Sequence, residues 1–196
     1  VALMNAPVPD GEADEAARFS VSSLGTSWKL PPHKAHLIVT FQGADDESGA
    51  ASLSRFTSFL AAVTQVSPAV GVYWGDAAAT HDPQFLIATA KEPSIAARVL
   101  LWSGLSMVRE PSGRLSLLSL GMRQLDLPDL LLLVPSAKED DALAVFFDLL
   151  GYVAGRGKPL PEGDTVGRTE SEKWVVHYVP SPIDPQVMVW RVEMGG

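Results

Sequence analysis

The stretch VLLWSGLSMVREPSGRLSLLSLGM, residues 99–122, decides the fold class. Two apolar runs flank Pro111, Ser112 and Gly113, and those three residues are the punctuation of a tight turn. The spacing predicts a β-hairpin, with strands over 99–110 and 114–122. A hairpin placed in mid-chain breaks any strict alternation of strand and helix. Mixed order of this kind favours a mixed sheet, which the segments around the hairpin must supply.

Upstream, AHLIVTF (35–41) is apolar on both parities, as a strand buried on both faces is. QGADDESG follows as a turn. The next segment sets Leu53, Phe56, Phe59, Leu60 and Val63 on one helical stripe, and Ser67-Pro68 ends it. AVGVYWG (69–75) reads as a strand, which completes a β-α-β unit. Asp82-Pro83 has the form of a capped helix start, with Phe85, Leu86 and Ala90 turned to the core. At the N-terminus VALMNAPVP reads as a short strand. DGEADEAARF reads as a helix capped by Asp10 or Asp14 and running towards Leu24 before Gly25. Downstream, Leu130 to Val134 is a buried strand. SAKEDDALAVFFDLLGYVAG (136–155) is a helix with a Ser136/Glu139 capping box and a stop at Gly155. WVVHYV (174–179) and VMVWRVEM (187–194) close the chain as a strand pair. Seven or eight strands and four helices in mixed order predict an α+β fold, a mixed sheet with helices mainly on one face. The chain reads as one domain, 1–196. A pair of ferredoxin-like halves, 1–95 and 96–196, fused around one sheet suits the count.

Composition narrows the function. Hydrophobic residues make up 46% and charged residues 19% of 196, the profile of a packed globule. Fifteen basic and 23 acidic residues leave a net charge of −8, which argues against nucleic-acid binding and is compatible with a basic protein partner. The chain has no cysteine, so disulfides, thiolate metal sites and cysteine nucleophiles are excluded. The uncharged run from Phe56 to Gly75 is long enough for a membrane span. Its embedded polar residues, Pro68 and change of period read instead as a helix followed by a strand, so no membrane insertion is expected. The chain begins at Val1 and shows no basic stretch leading into an apolar one, and a cytoplasmic location is the expectation.

Candidate chemistry is sparse. His33 and His36 stand three apart, but the prolines before them and the strand after them keep the pair from converging on a metal. No metal and no cofactor is expected. Ser106 in GLSMV lacks the strand-to-helix elbow of a nucleophilic serine. GYVAGRGKP (151–159) leaves a helix where a phosphate loop enters one. The acid runs Asp45-Asp46-Glu47, Glu139-Asp140-Asp141 and Glu170/Glu172 read as solvated faces. The least ordinary cluster is Trp74, Asp76 and His81, at the end of one strand and the start of a helix, where α/β proteins place ligands. Arg109, Arg123 or His36 would complete it. Five tryptophans are more than packing requires, and Trp28, beside a loop, is the first choice for an exposed anchor at a protein interface.

In order along the chain, ALMNAPVP, WKLPPHKAHLIVT, GVYWGDAA, LLWSGL, GM-x-x-L-D-L-P-D-L and GKPLPEGDTVG resemble the bacterial DUF4261 family. The resemblance implies a bacterial protein and carries over no catalytic residue. The leading expectation is a non-enzymatic protein-binding module, an immunity or adaptor protein of a toxin or secretion system. The alternative is a small-molecule site or small enzyme built on Trp74, Asp76 and His81.

Overall fold

In the computed structural model, residues 1–43 and 48–195 are described. The central part of the QGADDESG turn, including the acid run Asp45-Asp46-Glu47, lies outside the described residues. In chain order the elements are β1 (Ala2–Met4), α1 (Glu12–Ala16), β2 (His36–Ile38), α2 (Gly49–Gln65), β3 (Val72–Trp74), β4 (Ala79–His81), α3 (Pro83–Thr89), α4 (Ile95–Trp102), β5 (Gly104–Arg109), β6 (Leu115–Leu120), β7 (Leu130–Val134), α5 (Ala142–Arg156), β8 (Thr165–Val166), β9 (Trp174–Pro180) and β10 (Met188–Glu193).

The fold is α+β around a six-stranded mixed sheet, ordered β5-β6-β7-β10-β9-β8. Its β7–β10 pair is parallel and the other pairs are antiparallel. All five residues of β7 are buried, which is why LLLLV carries no alternation: this strand is central and covered on both faces. Leu117, Leu130, Leu132, Val176, Trp190 and Val192 share one face with the helices, in a core reaching Val99 and Trp102 of α4 and Phe146, Leu150 and Val153 of α5. The opposite face collects Leu118, Leu131, Leu133 and Val189 in a smaller cluster made of strand residues alone. Helices α4 and α5 cross closely at Gly151, where an added Cβ would stand 2.8 Å from the Ala96 Cβ. Helix α4 is tied to α2 by Trp102, whose Nε1 donates to Thr57 Oγ1 at 2.8 Å.

Several local expectations are corrected. The hairpin exists, but residues 99–102 belong to α4, started by Ser94, whose side chain accepts from Ala97 N. The run VLLW has no period of its own, and the cap at Ser94 decides it. The two halves do not share a sheet as fused ferredoxin-like units. The N-terminal strands make two separate two-stranded sheets, β1-β2 and β3-β4. The strand expected to be buried on both faces is the three-residue β2, whose Leu37 and Ile38 are 41% and 45% exposed; among the described residues it pairs with β1 alone. Phe59 is also exposed, unlike its neighbour Leu60. The N-terminal helix is short and passes into 3-10 turns at Ala17–Phe19 and Val21–Ser23, with Gly11 and neither Asp10 nor Asp14 at its cap. Ser136 and Glu139 do not form the capping box. Ser136 Oγ donates to the Gly113 carbonyl, and Glu139 is drawn to the Arg109 guanidinium, locking the hairpin tip to the start of α5. Helix α5 runs through Gly155 and stops at Gly157, which is left-handed. Asp82 caps α3 as the sequence predicts, accepting from Gln84 N at 2.8 Å. Among the described residues no helix is long and apolar enough to cross a membrane, and Phe56 to Gly75 is divided between α2 and β3.

Candidate functional site: a helix-backed apolar cleft

The stripe Phe56, Leu60, Val63 and Thr64 on α2 is spaced at i, i+4, i+7 and i+8, so its members share one helical face. That face forms one wall of an open cleft of about 860 Å³. The run Ala35 to Val39, containing β2, and the run Val70 to Gly75, containing β3, also line it. The ring of Phe56 stacks on Phe41 at 5.8 Å and meets the edge of Trp74 at 5.4 Å, so one aromatic series joins the exit of β2, the helix and the end of β3.

Trp74 is held from behind by the loop 121–129. Its Nε1 donates to Gln124 Oε1 at 2.8 Å, and Gln124 Nε2 donates in turn to the carbonyls of Trp102 and Gly121, both at 3.0 Å. Two residues on, Asp76 pairs with Arg123 of the same loop at 2.8 Å. Gly121 makes this approach possible. Its φ is +107°, and a Cβ there would stand 2.5 Å from the Asp76 carbonyl oxygen. The loop itself is organised by Asp129, which accepts from Ser119 Oγ at 2.7 Å, Met122 N at 3.1 Å and Gly121 N at 3.4 Å. Burial raises the Asp129 carboxyl above its ordinary range, and those three hydrogen bonds act in the opposite direction. Within the cleft, Tyr73 and Glu12 share the lining. Burial first, and then the Glu12 charge, raises the phenol, which keeps it a neutral donor.

The sequence-predicted residues separate. Trp74 and Asp76 line the cleft, whereas His81 and Trp28 do not. His81 is fully buried. Its Nε2 faces the Leu101 carbonyl at 3.0 Å, and a carbonyl only accepts, so Nε2 carries the proton. Nδ1 then accepts from Ser20 Oγ at 2.7 Å, which in turn accepts from Ser22. With both ring nitrogens committed and desolvation lowering the imidazole to about 4, His81 is a neutral strut between the N-terminal turns and α4. Trp28 is half-buried. Of the candidate companions, Arg123 pairs with Asp76, His36 lines the cleft with Nδ1 against the Ala6 carbonyl at 2.8 Å, and Arg109 lies at the distant hairpin tip. His33 accepts from Val8 N at 3.1 Å. Among the described residues no three His, Asp or Glu side chains gather as a metal site.

The arrangement is an α+β scaffold that carries an apolar cleft outside its main sheet. Residues 118–193 match the model of the family described as a domain of unknown function (DUF4261). The matched stretch holds most of the six-stranded sheet, α5 and the loop that grips Trp74, while the cleft walls lie before it. No curated protein and no solved structure matches the chain.

The residues that sequence reasoning missed are Gln124, Asp129, Ser20 and Ser22. The signal for two of them was present: Gln124 and Asp129 lie within the GM-x-x-L-D-L-P-D-L passage, whose polar positions sit among residues that must be buried. The serines carry no such signal, because their partner His81 is 61 residues away in the chain.

Proposed function

We propose that the chain is a protein-binding module, and that the cleft between β2 and β3 is where a partner's apolar segment docks. The observation that carries this reading is the cleft itself, large, open and backed by an apolar helix stripe. An exposed apolar surface of this kind marks interaction sites in soluble proteins. The residues that line it belong to recognition more than to reaction chemistry: its acids, Glu12 and Asp76, lie on separate elements, and Asp76 is occupied by Arg123. The net charge of −8 favours a partner segment with basic flanks. A role as adaptor or immunity protein is consistent with such recognition.

The test is a selection of linear peptides from a phage-displayed library on the intact chain, followed by titration of the best peptide with tryptophan fluorescence as readout. Saturable binding is expected, weakened at least tenfold by Leu37→Asp in the cleft and unchanged by Val108→Asp on the far hairpin. Both positions are exposed, so neither substitution disturbs the core. Equal effects of the two substitutions, or no selected peptide above background, would overturn the assignment.

A further inference from the structure

We infer that the partner segment enters the cleft as an added β-strand, bonded to β2 on one side and β3 on the other; this rests on the binding reading above. Both bounding strands are edges. Among the described residues β2 pairs with β1 alone and β3 with β4 alone. Among the described residues no backbone hydrogen bond outside those ladders reaches His36–Ile38 or Val72–Trp74. The lining runs, 35–39 and 70–75, are unbroken in sequence. A strand that presents a face to a cavity contributes alternate residues, whereas one that presents its edge contributes every residue. Unbroken runs therefore identify two facing edges, with their unused N–H and C=O groups turned to the gap.

The dimensions suit one strand. Five extended residues at about 3.3 Å each, with a strand spacing of about 4.8 Å and a layer thickness of about 10 Å, fill roughly 800 Å³, against a cleft of about 860 Å³. In split β-α-β units a third strand lies between the two joined by the crossover helix. Here β2, α2 and β3 follow one another in that chain order, with the Phe56, Leu60, Val63 and Thr64 stripe lining the space that a third strand would fill. The occupant is a partner protein's extended apolar segment of about five residues, flanked by Lys or Arg. A second copy of this chain is disfavoured, since two bodies of net charge −8 repel.

The test uses the selected peptide and the intact chain. Single backbone N-methylation at each of the three central peptide positions removes one donor at a time. A strand held on both edges uses the amides of both parities, so every one of the three is expected to weaken binding about tenfold. Of the amides of Leu37 to Val39 and Val72 to Trp74, those not bonded to β1 or β4 are expected to exchange fast in the free protein and at least tenfold slower with peptide bound. Sensitivity at alternate positions only means one edge is used and overturns the insertion. Insensitivity at all positions overturns strand addition while the binding reading stands, because the unmodified peptide still binds. Protection, in the free protein, of the amides that β1 and β4 leave unused means that β2 and β3 pair with each other, and a peptide-displaceable dimer in sedimentation means that the occupant is a second copy; either result overturns the inference.

Discussion

Lowering the pH from 7 to 5 is expected to cost the fold about 2 kcal/mol through one side chain, His81. The folded imidazole is held near 4, against an ordinary value of 6.5, chiefly because burial disfavours its charged form. As pH falls through 6.5 the unfolded chain takes up a proton that the folded chain refuses until about 4. The stabilisation is therefore complete above 6.5 and is lost as pH falls across that window. The linkage relation gives about 2 kcal/mol between pH 7 and 5 and about 3 kcal/mol by pH 4. The assay is urea unfolding of the native chain and of His81→Gln at pH 7, 6 and 5. The glutamine variant starts weaker, because it cannot reproduce both the Ser20 and the Leu101 hydrogen bonds, but it stays neutral throughout. The stability gap between the two proteins should shrink by about 2 kcal/mol from pH 7 to 5. A gap constant to within about 0.5 kcal/mol would refute the buried neutral imidazole.

Three further outcomes follow from packing and backbone geometry. Gly121→Ala should destabilise by roughly 2 kcal/mol or more, since it adds a Cβ against the Asp76 carbonyl at a positive φ; an unshifted thermal midpoint would mean the loop 121–129 does not grip β3. Phe146→Ala, at a fully buried core position, should cost about 3–5 kcal/mol in denaturant unfolding, and a loss under about 1 kcal/mol would place Phe146 outside the main core. Arg123→Ala breaks a pair whose side chains are 75% and 58% exposed. Its unfolding midpoint should match the native chain within error, because solvent screens exposed pairs; a clear drop would show that the pair holds the end of β3.

The sequence alone determined the elements whose signals are local. Asp82-Pro83 announced α3 because a cap and a proline act within one turn. Pro111-Ser112-Gly113 announced the hairpin because turn geometry is set by the residues in it. The buried run LLLLV announced a buried strand, and the mixed order of elements announced an α+β fold. Where two signals competed locally, as at VLLW, a cap one turn upstream decided between strand and helix. Tertiary structure alone decided which of these elements meet. That β2 stands at an open edge, that His81 is sealed between Ser20 and Leu101, and that Gln124 and Arg123 reach back to Trp74 and Asp76 are pairings between residues 20 to 61 positions apart. Of the candidate site the sequence placed Trp74 and Asp76 correctly at the end of a strand, yet the cleft beside them is a space between elements. Its shape depends on where chain segments distant in sequence come to rest, and no local pattern of residues encodes that distance.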